Sequence, residues 1–430
     1  MNKKNIVFVI LLVIFTLCGV FIGRQSKVID VYQNNETNIK KSKNMLSMML
    51  ETEAGSGNYE MTTRESWPTE GYIFNTELSK CENGGELSWD DTNKIVLMSG
   101  NVSDKCYVYF DMIPSVLLAD FVISQYNGIQ GNNNIYYHDA SLTNGAGDNS
   151  YRFAGASESV NNYVCFGSTE SPCPADNLYR IIGVFDGQVK LIKATEATST
   201  LLGTDGAYVS DTTYKWSNLT ACPSDATAYI KNENVTKVSK KNTLAFEIGP
   251  SEPTDDTGCN EWKYSKLNTI NLNTNYLNNI GTTWSNMIEN TTWKVSGHTT
   301  NGVTPKAMYT AEITNATKTY GPENGTSKIG LMYASNYGFA ADPSAWTSNM
   351  NSYSSTSITS VNWMYMGLFE WTISRSVDYA SSVFGVYSAG NVHDDDAAHA
   401  FGVRPVLYLK ASVAYAGGSG IQSDPIIIGD

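Results

Sequence analysis

The chain begins with two lysines, Lys3 and Lys4, and then an apolar run, Ile6–Ile22. This run is at the short end of the lengths that cross a bilayer core. The residues just before Gly23 are bulky, whereas a cleavable leader needs small residues at its cleavage site. We therefore predict an uncleaved signal-anchor that crosses the cell membrane once and leaves the body of the chain outside.

The next segment mixes apolar and charged positions. In Val28–Leu50 their spacing is close to that of a helix, which predicts a helical stalk continuing from the membrane. The small and polar residues from 54 to 58 interrupt this pattern and predict a linker. Residues 1–58 are thus expected to be the membrane anchor and its stalk.

Residues 59–112 show the short alternating runs that are typical of strands. Glu86–Trp89 and Lys94–Met98 flank the turn residues Asp90–Asn93, which predicts a hairpin. Cys106–Phe110 is rich in aromatic and β-branched residues and predicts a third strand. We expect a small, disulfide-bonded, β-sandwich-like module here.

The remainder mixes helical and strand patterns. Residues 113–135 predict a linker helix, and residues 136–430 predict one large α+β domain. Within that domain, Leu178–Phe185 and Gln188–Ile192 are predicted strands. The Asp186-Gly187 pair between them is a strong two-residue turn signal, because both residues tolerate positive φ. The pattern as a whole predicts an α+β chain.

Composition narrows the classes of function. Hydrophobic residues make up 41% of the chain, enough for packed cores. The formal net charge is -13, and such a surface repels nucleic acids and anionic membranes, so we expect no nucleic-acid partner. The abundance of Tyr, Ser, Gly and Asn suits a binding surface. Keeping a secreted domain soluble is the simpler explanation for the same residues.

Six cysteines follow the apolar run. Proximity in sequence suggests the pairs Cys81–Cys106, Cys165–Cys173 and Cys222–Cys259, although six cysteines allow many connectivities. A zinc site is the competing interpretation, but no Cys-x-x-Cys spacing is present. Disulfides form in oxidising spaces, which supports placing the body of the chain outside the cell.

Four stretches together carry a family resemblance: Asn177–Phe185, Ile329–Gly338, Trp371–Ser374 and Phe401–Leu409. Their order resembles that in uncharacterised surface proteins of Gram-positive gut bacteria. The C-terminal domain of those proteins is similar to the C-type-lectin-like fold, in the branch that includes formylglycine-generating enzymes. The resemblance runs from about residue 136 to the C terminus. It implies a C-type-lectin-like scaffold that displays variable loops.

The chain departs from the better-known branches of that fold. The enzyme branch uses a pair of reactive cysteines in its C-terminal part, and here no cysteine follows Cys259. Calcium-dependent lectins carry a Glu-Pro-Asn and a Trp-Asn-Asp triplet. The nearest match, Glu252-Pro253-Thr254, lacks the amide, and the second triplet is absent. The resemblance therefore brings neither a catalytic nor a sugar-binding site with it.

The densest titratable cluster is Asp394, Asp395 and Asp396, between His393 and His399. Carboxylate oxygens of this kind could bind a hard cation, so calcium is the one cofactor considered. Neighbouring side chains on an extended chain point apart, however, and a solvated acidic loop is the alternative.

Aromatic residues crowd the late part of the large domain. Trp346, Tyr353, Trp363 and Tyr365, if exposed, could stack on sugar rings or anchor a protein partner. If buried, they would be ordinary core residues. Trp371 lies in a predicted strand and is expected to be core.

Two further observations bear on function. Arg404 precedes Pro405 in an apolar strand and is expected to pair with an acidic residue, with capture of an anionic ligand as the alternative. No nucleophile elbow, phosphate loop or dinucleotide fingerprint is present. We therefore expect a surface protein that binds an extracellular protein or glycan and has no catalytic activity. A structural envelope or pilus-like subunit, or an extracellular enzyme with dispersed catalytic residues, remains the alternative.

Overall fold

The computed structural model describes residues 46–62, 66–68, 71–99, 104–113, 115–217, 259–299, 302–316, 319–320, 326–377, 379 and 381–429. The chain divides into two compact units, Met1–Ser115 (unit 1) and Val116–Asp430 (unit 2). The predicted span at Ile6–Ile22 and the stalk as far as residue 45 lie outside the described residues. In the part that is described, no helix is both long enough and apolar enough to cross a membrane.

Unit 1 consists of short strands. Its described residues contain β1 (Leu46–Glu51), β2 (Tyr59–Met61), β3 (Tyr72–Phe74), β4 (Lys80–Cys81), β5 (Glu86–Asp90), β6 (Ile95–Ser99) and β7 (Cys106–Met112). β1 and β7 pair in parallel at the centre of a five-stranded sheet, with β2 beside β1, and with β3 and β4 beside β7. β5 and β6 form a separate hairpin, which confirms the predicted one.

The alternation of buried and less buried side chains along β7 explains the core of unit 1. Buried positions alternate along β7, so Val108 and Phe110 project to one face and pack with Met48 of β1. The predicted stalk helix is therefore wrong for Leu46–Leu50, which lie in β1. Parallel pairing with β7 buries Met48, and this tertiary gain outweighs the helical preference of Met and Leu.

Unit 2 contains many more strands. Its described residues contain β8 (Val116–Leu117), β9 (Ile135–His138), β10 (Ser150–Phe153), β11 (Tyr163–Cys165), β12 (Leu178–Phe185), β13 (Gln188–Lys193), β14 (Tyr208–Ser210), β15 (Thr213–Lys215), β16 (Trp293–Lys294), β17 (Thr319–Tyr320), β18 (Ile329–Gly330), β19 (Glu370–Arg375), β20 (Ser382–Val386), β21 (Val392–Asp396), β22 (Ala400–Gly402), β23 (Val406–Tyr408), β24 (Ala414–Gly417) and β25 (Ile427–Gly429).

The helices of unit 2 are short. Its described α-helices are α1 (Leu118–Tyr126), α2 (Ser199–Leu202), α3 (Leu277–Ile280), α4 (Thr282–Met287), α5 (Pro305–Tyr309), α6 (Ala334–Phe339) and α7 (Ser355–Ile358). Two π-helices, Leu267–Tyr276 and Thr310–Thr314, adjoin α3 and α5. Short 3-10 helices lie at Asn132–Asn134, Ala175–Asn177, Trp262–Tyr264, Pro343–Ala345 and Met350–Ser352.

Two sheets form the centre of unit 2. A seven-stranded sheet has the order β18-β23-β13-β12-β10-β9, with β11 also beside β12. A six-stranded sheet has the order β14-β15-β22-β19-β20-β21. Nearly every residue of β12 is buried, as expected for a strand covered on both faces. Asp186 and Gly187 both have positive φ between β12 and β13, which confirms the predicted hairpin turn.

The predicted fold class is wrong. It was an α+β chain with an N-terminal transmembrane and stalk helix, a small β-sandwich-like module and a C-terminal C-type-lectin-like domain. The structure is instead mostly β, with several separate sheets and 22% helix. The pattern overestimated the helical share, because Leu46–Leu50 pair in a sheet and the described helices of unit 2 are short.

Candidate functional site

A cavity of about 290 Å³ opens against the seven-stranded sheet of unit 2. Its walls combine charged, amide and aromatic side chains. Those that carry the argument are Arg152, Lys190, Tyr309, Asn336 and Tyr408. Concave sites lined by rings and a few convergent polar groups are the usual form of small-ligand sites.

The sheet register explains why distant residues meet at this cavity. Arg152 on β10 pairs with Gly183 on β12, Gly183 pairs with Lys190 on β13, and Lys190 pairs with Tyr408 on β23. Directly paired residues project to the same face of a sheet, so this row presents Arg152, Lys190 and Tyr408 together. All three line the cavity.

Gly183 is required in that row by the close approach of a neighbouring strand. A Cβ built at this position would lie 2.1 Å from the backbone oxygen of Tyr151. Any other residue would force β10 and β12 apart, which would disturb the Arg152 side of the row.

Arg152 is almost completely buried and is held by three kinds of contact. Its Nε donates to Ser150 Oγ at 2.8 Å, and its NH2 group donates to Asp148 Oδ2 at 2.5 Å. Its guanidinium also lies 4.8 Å from the ring centre of Phe185. Burial raises the pKa of Asp148, but Arg152 and the Ser150 hydroxyl outweigh burial and lower that pKa to about 2.

This ion pair gives a stability prediction. The lowered pKa of Asp148 means that its charge stabilises the fold at every pH above the ordinary value of 3.8, and that this contribution is lost as the pH falls through about 2. The shift corresponds to about 2 kcal/mol. Asp148→Asn should therefore lower the free energy of unfolding of unit 2 by about 2 kcal/mol at neutral pH, as measured by hydrogen exchange of the β10 amides.

The pH dependence and a control make this test specific. The difference between Asp148→Asn and wild type should shrink as the pH falls from 3.8 toward about 2, because wild type then loses the same charge. Asp120→Asn, at an exposed position on α1, should change stability by less than about 0.5 kcal/mol. An Asp148→Asn difference that is constant with pH would contradict the argument.

Lys190 lies deeper, at the floor of the cavity, and is 1% exposed. Its Nζ is 2.8 Å from Asn336 Oδ1. Its Nζ is also 4.6 Å from the ring centre of Tyr333 and 5.0 Å from that of Tyr408. Burial, followed by repulsion from Arg152, lowers the pKa of Lys190 well below its ordinary value.

Glu312 is a second buried ionisable group, in contact with Ser335 of the cavity wall. It is completely buried, and its carboxylate accepts from Ser335 N at 3.3 Å and from the Ser374 hydroxyl. Burial raises the pKa of Glu312 to about 7, although the two serines and Lys190 act in the opposite direction. Near neutral pH the acid is therefore partly protonated.

The predicted aromatic binding residues lie elsewhere in unit 2. Trp346, Tyr353 and Trp363 are at most 5% exposed, and Tyr365 is half-buried. Each donates a hydrogen bond to a backbone oxygen, at 2.7 to 3.0 Å. They pack inside the unit and do not line the cavity described above. No finding tests their predicted role in ligand binding, and Trp371 is buried as expected.

The predicted calcium ligands lie on β21. Asp395 accepts hydrogen bonds from Tyr387 OH at 2.6 Å and Asp396 N at 2.8 Å, and its Oδ1 is 2.7 Å from His399 Nδ1. Asp396 Oδ1 accepts from Ala398 N. Successive side chains of a strand point to opposite faces, so Asp394 and Asp396 face away from Asp395. The structure does not bring the three carboxylates into one ligand set, and calcium binding there stays a prediction.

Among the described residues, one group of three potential metal ligands lies close together, namely Cys81, Asp104 and Cys106. Cys81 and Cys106 form a disulfide with each other, so their sulfur atoms are not available as metal ligands. Asp104 instead accepts hydrogen bonds from Asn83 N at 2.8 Å and Gly85 N at 3.0 Å. This group is therefore a structural feature of unit 1.

Two of the predicted disulfides are present, Cys81–Cys106 and Cys165–Cys173. Cys259 is buried and disulfide-bonded, while Cys222, its predicted partner, lies outside the described residues.

The acidic partner expected for Arg404 is also present. Its Nε and NH2 groups donate to the two carboxylate oxygens of Glu370 at 2.5 and 2.7 Å. This bidentate pairing confirms the structural interpretation of Arg404.

Sequence reasoning missed the residues that line the cavity. One usable signal was Lys190, a charged residue between Val189 and Leu191 in a strand that was otherwise predicted to be apolar. No local signal pointed to Asn336 or Glu312, because their proximity depends on contacts made far along the chain.

Comparisons with known proteins add no relatives. No family model matches the chain, and neither a curated protein nor a solved structure matches it. The resemblance to gut bacterial surface proteins is not tested by these comparisons and stays a prediction.

Proposed function

We propose that this chain is an extracellular surface protein that binds a small polar ligand, of the size of a sugar residue, in the cavity of unit 2. Extracellular placement is supported by the disulfides in both units, since such bonds persist in oxidising spaces. The observation that carries the binding proposal is the wall of the cavity, where aromatic rings lie beside groups that form hydrogen bonds.

The chemistry of the wall favours a polyhydroxyl ligand. Phe185, Tyr309 and Tyr408 are half-buried and offer ring surface. Gln188 at the rim can both donate and accept, as hydroxyl groups require. The volume of about 290 Å³ is near the small end of ligand pockets, so it suits one sugar ring better than a long chain.

The charges around the cavity nearly cancel. Asp148 and Asp186 are acidic, whereas Arg152 and Lys294 are basic. Burial lowers the pKa of Lys190 and so favours its neutral form. A balanced set of charges favours a neutral polar ligand over a multiply charged one, because a charged ligand needs a surplus of the opposite sign.

The test is a glycan array probed with the full chain, followed by titration of any sugar that binds. Gln188→Ala should weaken that binding about tenfold, since it removes one amide that forms hydrogen bonds at the rim. The matched control is Gln125→Ala, a half-buried glutamine on α1 away from the cavity, which should bind as wild type does. Equal binding by both variants, or no sugar bound at all, would contradict the proposal.

An added arm with EDTA tests the predicted calcium site at Asp394–Asp396. Loss of binding only in EDTA would move the ligand site to β21 and away from the cavity.

A further inference from the structure

The contact between Lys190 and Asn336 joins two segments that are far apart in the sequence. Lys190 is in β13, at the centre of the seven-stranded sheet, and Asn336 is in the first turn of α6. Both side chains are at least nine-tenths buried, and Nζ lies 2.8 Å from Oδ1 at a sequence separation of 146 residues. Within the described residues, Lys190 forms no ion pair.

An ordinary hydrogen bond is a poor explanation for burying this lysine. A buried ammonium without a carboxylate partner loses several kcal/mol of hydration, and one amide oxygen does not compensate for it. Four ring faces at 4.6 to 5.6 Å from Nζ attract an ammonium and offset only part of that loss. Nearby Arg152 disfavours the ammonium further. The neutral amine is therefore the form that suits the site, and a neutral amine is a nucleophile.

The amide oxygen of Asn336 accepts two hydrogen bonds. The backbone N–H of Tyr333 donates to Asn336 Oδ1 at 3.2 Å, on the same oxygen that contacts Lys190. A donor on this oxygen stabilises the negative charge that develops there when a nucleophile adds to the carbonyl carbon. Strand and helix fix both groups before reaction, so little entropy is lost on the way to the transition state.

A buried carboxyl group contacts the first turn of α6, which carries Asn336. Glu312 is fully buried and accepts from the N–H of Ser335, the residue just before Asn336. It also interacts electrostatically with Lys190. Because its pKa is raised to about 7, both its acid and its carboxylate forms are populated near neutral pH. A group that can take up and return a proton is what amide exchange between an amine and a carboxamide requires.

We propose that Lys190 and Asn336 form an intramolecular amide crosslink in the folded protein, with Glu312 carrying the proton. The amine nitrogen of Lys190 bonds to Cγ of Asn336, and the bond from Cγ to Nδ2 breaks. One proton of the amine passes to the leaving nitrogen, which departs as ammonia. No oxidation occurs, and no co-reactant is needed.

Such a crosslink would connect the central sheet to α6 covalently. It would enclose the chain between positions 190 and 336 in a permanent loop, and a long enclosed loop restricts the unfolded chain most strongly. It would also replace a buried amine by an uncharged amide. This inference does not depend on ligand binding, because the mass of the protein tests the crosslink and no affinity measurement is needed.

The test is mass spectrometry of the full wild-type chain, first intact and then after proteolysis. We expect the intact chain, with its disulfides reduced, to be lighter than its sequence by the mass of one ammonia. Succinimide formation at another asparagine gives the same loss, so peptide mapping decides. A branched peptide joining Lys190 to Asn336, with Lys190 resistant to trypsin, is expected. Separate linear peptides for both residues would overturn the proposal.

Variants then separate chemistry from folding. Lys190→Met and Glu312→Gln should both lack the branched peptide, and Glu312→Asp should restore part of it. Lys193→Met is the matched control, because Lys193 is equally buried on the same strand but contacts Thr195, and the crosslink should persist in it. The uncrosslinked Glu312→Gln protein should melt on the order of 10 °C lower than wild type. A complete crosslink in Glu312→Gln would remove Glu312 from the mechanism.

Discussion

Glu370→Gln is expected to destabilise unit 2 by about 3 to 5 kcal/mol, the usual cost of removing one partner from a buried ion pair. Arg404 and Glu370 are 2% and 6% exposed, and they form a bidentate pair between β19 and the segment before β23. Arg404 also donates to the backbone oxygen of Met364 at 2.9 Å. Glutamine leaves the charge of Arg404 buried without a counter-charge. The cost of desolvating that charge then lowers the free energy of unfolding.

The measurement is hydrogen exchange of the β19 and β20 amides in the full chain, which reports on unit 2 alone. Glu158→Gln, at an exposed position, is the matched control and should change exchange little. The double variant Glu370→Leu with Arg404→Met should recover much of the lost stability, because apolar residues of similar volume can replace a buried pair. A loss below about 1 kcal/mol in Glu370→Gln would show that water reaches the pair.

Removing the Cys81–Cys106 disulfide is expected to cost unit 1 about 3 kcal/mol. The two cysteines are register partners on β4 and β7, with a sequence separation of 25 residues. The buried apolar core of this unit is small, with Met48, Val108 and Phe110 at its centre. Such a core supplies little stability of its own, so restricting the unfolded chain matters more here than in unit 2.

The test replaces both cysteines with alanine and follows hydrogen exchange of the β7 amides. Exchange should become about a hundredfold faster, which is what a change of about 3 kcal/mol produces. The matched control replaces Cys165 and Cys173, which lie in unit 2, and should leave β7 unchanged. If β7 exchanges at the wild-type rate without Cys81 and Cys106, the core alone holds unit 1 together.

Predictions that depended on short stretches of sequence were confirmed. The Asp186-Gly187 turn, the hairpin of β5 and β6, and two disulfides between near neighbours in sequence all appear. In each, the partners lie close along the chain, so turn chemistry or loop closure largely determines the outcome. Arg404 was also predicted correctly, because a guanidinium in an apolar strand requires a counter-charge wherever it folds.

Predictions that required long-range pairing were less successful. The helical prediction was wrong for Leu46–Leu50, because these residues pair in parallel with β7, more than fifty residues later. The α+β class was also wrong, since the described chain is mostly β, with its strands paired across several separate sheets. Local propensities differ by less than the energy of burying one apolar side chain, so tertiary packing overrides them.

The charge of the chain, the Asp186-Gly187 turn, the near-neighbour disulfides and the counter-charge of Arg404 could all be predicted from the sequence. Those features depend on residue chemistry and on short loops. The cavity was not predictable in this way, because Arg152, Lys190 and Tyr408 meet through the register of β10, β12, β13 and β23. The contacts of Lys190 with Asn336 and of Glu312 with Ser335 likewise depend on the folded chain. Lys190 is more than a hundred residues from both Asn336 and Tyr408, and no local pattern encodes pairing over such a distance.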